Sequence, residues 1–245
     1  LRSAKKSGEK IMELVTKNIR PSDIVNKKSI QNAISYIMAS GGSTNAVIHM
    51  TAIGYEAGIE PEWTMKEFDR ISGIIPHMAR INPASNDYDM EDFYKSGGVP
   101  RVMEYLREHI NTDVMTVTGN TLEENIENSN YMYGPCDENV IRHFDSPFST
   151  LGGVAIMRGN LAPETGVAKP AAIAEDVRCF TGEAICFDSE EECSQALEQL
   201  KIKPGHVVVI RYEGPKGGPG MREMLAPTAT LAGLGLDNSV ALITD

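Results

Sequence analysis

The stretch Glu213-Gly214-Pro215-Lys216-Gly217-Gly218-Pro219-Gly220-Met221-Arg222-Glu223-Met224-Leu225 follows a strand-like run and crowds four glycines and two prolines into residues 213–220. A backbone built this way can bring amide N–H groups against an anion, and it can project the Glu223 carboxylate in a defined direction. The competing reading is an elaborate turn between two strands. It is not a Walker-type nucleotide loop, in which Ser or Thr follows the Lys and the glycines precede it; here Gly217-Gly218 follow Lys216. A second candidate is Gly41-Gly42-Ser43-Thr44-Asn45, where a helix start would welcome a carboxylate or phosphate, or would simply be an ordinary N-cap. His49 reads as a hydrogen-bonded core residue, and His77, His109, His143 and His206 have no two-His metal spacing. Of the cysteines Cys136, Cys179, Cys186 and Cys193, the last three are spaced by seven rather than paired as Cys-x-x-Cys, which reads as structural. The acidic run Asp188 to Glu192 reads as the negative first turn of a helix.

Around these residues lies an ordinary globular composition. The chain has 245 residues, 41% apolar and 23% charged, with 23 Lys+Arg against 34 Asp+Glu and a net charge of -11. That suits a packed core and argues against nucleic-acid binding, which needs clustered cations. No apolar run approaches the roughly 20 residues of a membrane-spanning helix. The chain starts at Leu1 and stops at Asp245 straight after a strand-like run, so it reads as part of something longer.

The first hundred residues have helical spacing. Ile11, Leu14 and Val15 share one face of a first helix, and Ile30, Ala33, Ile34, Ile37 and Met38 form a stripe on a second that Gly41-Gly42 ends. A third helix over 45–57 is apolar on nearly every side and is expected to be buried. Thr64 and Glu67 form a capping-box pattern that starts a further helix running to about Gly73. Gly97-Gly98-Val99-Pro100 reads as a turn before a helix carrying Val102, Met103 and Leu106. The polar stretch 111–146 reads as a connection, with a domain boundary near Gly134. Beyond it the texture is β-like, with strands expected at 153–158, at 206–211 and in the run ending at Ile243. A short helix from Asp188-Ser189 is expected to bury Ala196, Leu197 and Leu200.

In this order, Gly41-Gly42-Ser43-Thr44-Asn45-Ala46-Val47, Gly97-Gly98-Val99, Arg158-Gly159-Asn160-Leu161-Ala162-Pro163, Phe180-Thr181-Gly182, the 213–225 loop and the closing Leu242-Ile243-Thr244-Asp245 resemble the dihydroxy-acid dehydratase family. That family sits in a superfamily with phosphogluconate and sugar-acid dehydratases. The resemblance spans essentially the whole chain, and the 211–225 region is closer to the branched-chain amino-acid enzyme than to its sugar-acid relatives. It implies a hydro-lyase that converts 2,3-dihydroxy-3-methyl carboxylic acids to 2-keto acids in valine and isoleucine biosynthesis. The alternatives are a gluconate or pentonate dehydratase, or a non-catalytic module binding a small organic anion.

The resemblance further implies Mg²⁺ with Glu223 as a ligand, and a substrate wall made of Gly214, Pro215, Lys216, Gly217, Gly218, Pro219, Gly220 and Met221, with Ser43, Thr44 and Asn45 as a weaker contribution. It implies an iron–sulfur cluster whose cysteines lie outside this chain, since none of the four here matches them. No catalytic residue is expected within the chain: the base serine belongs to a Gly-Arg-Phe-Ser-Gly motif expected just beyond Asp245. The implied fold is α/β plus β. Residues 1–133 would be the helical second half of an α/β layered domain with its linker, and 134–245 the first part of a β-barrel-like swivel domain. A homodimer is expected of the complete protein, in the cytoplasm, or in an organelle matrix if a transit peptide precedes Leu1. The piece alone is expected to be inactive and prone to aggregate through unpaired strand edges.

Overall fold

The computed structural model describes residues 1–82, 84–129, 135–173, 177–214, 216 and 222–245. These divide into two compact units, Leu1–Ala172 and Ile173–Asp245. The boundary expected near Gly134 falls outside the described residues.

The first unit is helical: α1 Arg2–Thr16, α2 Pro21–Ile24, α3 Lys27–Ser40, α4 Asn45–Glu56, α5 Pro61–Ser72, α6 Met90–Lys95, α7 Gly98–Tyr105 and α8 Leu122–Glu127. The stripe on α3 does what its period requires, burying Ile30, Ile34, Ile37 and Met38 with Phe68, Ile75, Met78, Val102, Leu106, Val140, Ile141 and Val154. Each such side chain contributes about 1.5–3 kcal/mol of burial. Gly41 ends α3 in the left-handed region at φ 63°. The orphan carbonyls of this helix end are satisfied from far along the chain: Met38 O accepts from Gly153 N at 2.9 Å, and Ala39 O accepts from Met78 N and Ala79 N at 2.7 and 3.0 Å. A short antiparallel hairpin, β1 Ala155–Met157 and β2 Gly166–Ala168, completes the unit.

Four expectations are corrected here. On α1 only Leu14 is buried, while Ile11 and Val15 are exposed. α4 is not buried all round: Val47 and Gly54 face inward, and Ile48 and Tyr55 stand in solvent at 52% and 64% exposure, because α3 and α5 cover only one side. α5 starts at Pro61 rather than Thr64, since a proline in the first turn costs no hydrogen bond; Thr64 lies inside the helix, buried, its hydroxyl against Gly54. The 111–146 stretch is part of the unit, not a free connection. Asn111 and Asn32 exchange hydrogen bonds of 2.8 and 2.7 Å, Thr121 and Glu124 cap α8, and Arg80 N donates to Val140 O at 2.9 Å.

The second unit runs β3 Glu183–Phe187, α9 Glu190–Glu198, β4 His206–Ile210, α10 Leu225–Gly233 and β5 Ala241–Thr244. All three strands are parallel in the order β3-β4-β5, with Ile185 opposite Val208 and Val208 opposite Leu242. Among the described residues no barrel closes, and the unit is a βαβαβ arrangement. The β-like texture expected throughout this region breaks at α10, where Leu-Ala-Pro-Thr-Ala-Thr-Leu-Ala-Gly is helical; Pro227 is tolerated because it falls in the first turn. Cys193, Leu197, Ile202, Val208, Ile210, Met224 and Leu231 form the core of this unit. The Phe180-Thr181-Gly182 motif has a steric reason: a Cβ on Gly182 would lie 2.0 Å from Gly205 O.

Besides the end of α3, four helix ends among the described residues share one motif, in which a left-handed residue follows the last turn and the next amide reaches back to a carbonyl of that turn. Asn18, Gly58 and Gly235 occupy that position after α1, α4 and α10 at φ 54°, 77° and 71°. After α9 the position is held by Leu200, at φ 54°, with Lys201 N donating to Ala196 O at 3.0 Å. Leu200 is 65% exposed, not buried as expected, because the helix ends before it. Leu200→Gly therefore relieves strain and loses little packing. It is expected to stabilise the α9 terminus by about 1 kcal/mol, seen as roughly fivefold slower hydrogen exchange of the last-turn amides.

Candidate active site

In an open parallel sheet, ligand-binding loops gather at the carboxyl ends of the strands. All three strands of the second unit end among charged side chains: β3 runs into Asp188, β4 into Arg211-Tyr212-Glu213 and β5 into Asp245. Arg211 reaches back to Asp188, Nε to Oδ1 at 2.8 Å, tying the first two ends. The start of the Gly-rich loop is tied to the third. Asp245 Oδ2 accepts from Tyr212 N at 3.2 Å, and its Oδ1 accepts from Glu213 N and Gly214 N at 3.1 and 3.3 Å. Three consecutive amides thus converge on one carboxylate, an arrangement made possible by Tyr212 at φ 64°. A Cβ on Gly214 would meet Asp245 O at 2.9 Å, which explains the glycine there.

The far side of the loop is tied as well. Glu213 is buried at 4% exposure; its Oε1 accepts from Glu190 N, the first residue of α9, at 2.7 Å, and its carboxylate faces Arg222 Nη1 at 3.4 Å. Arg222 also holds Glu190 Oε2 and Glu191 Oε1, each at 2.9 Å. The hydrogen bond to Glu191 pushes the Arg222 guanidinium up and holds the Glu191 carboxyl below its ordinary value. Glu223, the expected ligand, follows directly and is exposed. Lys216 is exposed, whereas Pro215 and Gly217, Gly218, Pro219, Gly220 and Met221 lie outside the described residues.

Ser43, Thr44 and Asn45 belong to the first unit, at the start of α4. Ser43 Oγ accepts from Asn45 N at 3.2 Å, and Thr44 is the N-cap by position but makes no side-chain cap bond. Behind this turn lies His77, 4% exposed, with Nε2 buried and without a hydrogen-bond partner, in close contact with Gly41. Burial lowers its pKa to about 4, aided by the charges of Lys169 and Arg80 and opposed by a backbone hydrogen bond with Ala79. The folded His77 is neutral while the unfolded chain protonates near pH 6.5. Stability therefore falls as pH drops from about 6.5 to about 4, by about 3 kcal/mol. Urea unfolding at the two pH values checks this, and His77→Gln is expected to flatten that loss.

Among the described residues no three His, Cys, Asp or Glu side chains gather as a metal cage. Cys193 is buried and its thiol is pushed up to about 11, first by burial, so it is an inert core residue; Cys179 and Cys186 are exposed and Cys136 half-buried. The hard carboxylate of Glu223 is of the chemical type that would suit a divalent cation.

Residues 1–125 match the family model described as dihydroxy-acid/6-phosphogluconate dehydratase N-terminal, and residues 139–245 match its C-terminal counterpart. The chain belongs to the dihydroxy-acid/6-phosphogluconate dehydratase family. It is similar to proteins named dihydroxy-acid dehydratase from Acetivibrio thermocellus, at 47% identity over 247 residues, from a Hydrogenobaculum species, at 49% over 244, and from Methanothermobacter thermautotrophicus, at 46% over 243. These alignments cover 99–100% of this chain and 43% of each relative, so the chain spans less than half their length. In this chain the residues that sequence reasoning passes over are Glu213, as a buried carboxylate, and Arg222 and Asp245, as its neighbours. The sequence offers only an acid three residues after an apolar strand with an arginine nine positions on, and nothing in it tells that the acid is buried.

Proposed function

We propose that this chain is the central portion of a dihydroxy-acid dehydratase of branched-chain amino-acid biosynthesis, converting a 2,3-dihydroxy-3-methyl carboxylate to the 2-keto acid. The C2 proton and the C3 hydroxyl leave together as water, and the resulting enol tautomerises to the ketone. The observation that carries the reading is the Gly-rich loop with Glu223, carried at the carboxyl edge of a parallel sheet in a chain 46–49% identical to proteins of that name. In this reading Glu223 is one ligand of Mg²⁺, a hard cation that would neutralise and orient the substrate carboxylate. The amides of 214–221 would press against the substrate, with Ser43, Thr44 and Asn45 as a polar wall. The cluster ligands and the base serine would come from other parts of the complete protein. In this reading the complete protein is a homodimeric enzyme of a reducing compartment such as the cytoplasm, which free thiols suit.

The test is an anaerobic assay of the complete protein with 2,3-dihydroxyisovalerate and Mg²⁺, following keto-acid formation. Turnover of that substrate with little turnover of gluconate is the expected result. Turnover of sugar acids alone would move the enzyme to the other branch of the superfamily, and no turnover of either would end the catalytic reading.

A further inference from the structure

If Glu223 is a metal ligand, its exposed side chain, just after a glycine- and proline-rich stretch, must be aimed steadily enough to coordinate. Flexible ligands bind weakly because ordering them opposes binding, and partners behind the ligand commonly decide affinity. The loop between Gly214 and Arg222 is secured at both ends, by different chemistry at each. At its start, Asp245 collects the amides of Tyr212, Glu213 and Gly214 at 3.1–3.3 Å. At its end, the Arg222 guanidinium spans Glu190, Glu191 and Glu213 at 2.9–3.4 Å. Glu213 joins the two: its backbone donates to Asp245, its buried carboxylate meets Arg222, and the same carboxylate accepts from the first amide of α9. A single guanidinium on three carboxylates, one of them nearly excluded from water, is far more built than a surface ion pair.

We propose that Asp245, Glu213 and Arg222 form a clasp that positions Glu223 toward its cation, and that Asp245 also fixes where the chain beyond it begins relative to that ligand. These are positioning residues, acting through Glu223. The inference rests on the dehydratase reading and adds a division of labour to it. Asp245 joins the end of β5 to the amides of 212–214 that follow β4. The clasp needs no charge change and no moving part; its work is to make the ligand direction a property of the sheet rather than of the loop.

The experiment uses the complete dehydratase, with Mn²⁺ binding read by electron paramagnetic resonance in the absence of substrate, and amide hydrogen exchange over 211–225. Asp245→Asn keeps one acceptor oxygen but turns an NH₂ toward at least one of the three amides, and Arg222→Met removes the fork while keeping much of the stem. Each is expected to speed exchange in this segment and to weaken Mn²⁺ binding about 10-fold, with Arg222→Lys recovering part of the loss. Faster exchange with Mn²⁺ affinity unchanged from wild type would overturn the clasp as a positioning device, since the residues would then be only a local brace. Glu223→Gln run alongside separates the two ideas. If it too leaves Mn²⁺ binding unchanged, the ligand reading itself fails; if it weakens binding while the clasp variants do not, the clasp alone fails.

Discussion

Gly153→Ala is expected to cost more than ~3 kcal/mol of stability, enough to abolish soluble protein at ordinary growth temperature. A Cβ at 153 would sit 2.4 Å from Gly41 Cα, 3.0 Å from Gly41 N and 3.2 Å from Met38 O. These are backbone atoms, so no rotamer change relieves the overlap. Separating the two strands of chain would also lengthen the Gly153 N to Met38 O hydrogen bond that closes the end of α3, leaving a carbonyl unpaired in the core. Gly159→Ala is the matched control, because a Cβ there would meet nothing within 4 Å, and its expected change is within about 0.5 kcal/mol. Soluble yield and apparent melting temperature of the complete protein compare the pair; equal behaviour would mean the close approach at Gly41 is not what the geometry says.

Glu223→Gln in the complete enzyme is expected to lower kcat by roughly 100-fold or more. The amide keeps the shape of the side chain but removes the anionic oxygen that a hard cation prefers. Because Glu223 is exposed, melting temperature should stay close to wild type, which separates loss of chemistry from loss of fold. Raising Mg²⁺ should restore only part of the rate, and Glu223→Asp should fall between. Full activity of Glu223→Gln at saturating Mg²⁺ would remove this residue from the metal's ligands.

The parts of the fold that local chemistry decides are readable from the residues alone. Gly41-Gly42 closes α3 because a left-handed residue is needed there, Ser189 caps α9 by accepting from Glu192 N, and the apolar run at 206–210 is the central strand. What escapes depends on partners distant in sequence. The apolar α4 predicts burial, but coverage depends on what packs over it. The capping-box pattern at Thr64 and Glu67 points to a helix start, yet the helix begins at Pro61 and buries Thr64 in its interior. The contacts among Glu213, Arg222 and Asp245 escape too, because a charged residue in a sequence gives no sign that tertiary structure buries it. Leu200 shows the same limit in reverse, an apolar residue placed outside by the geometry of a helix end.

The far end of α3 has a consequence for the order in which this protein is made. Its last carbonyls receive their hydrogen bonds from Met78, Ala79 and Gly153, so the helix leaves the ribosome with its start complete and its end open. Closing the loops that bring those amides home is costly until the intervening helices have packed, which puts the Gly41 and Gly153 contact among the last to form. Defects there leave the early rate of folding nearly intact and appear instead as faster unfolding. A chain damaged at this point would be synthesised and collapse normally, then fail to stay closed.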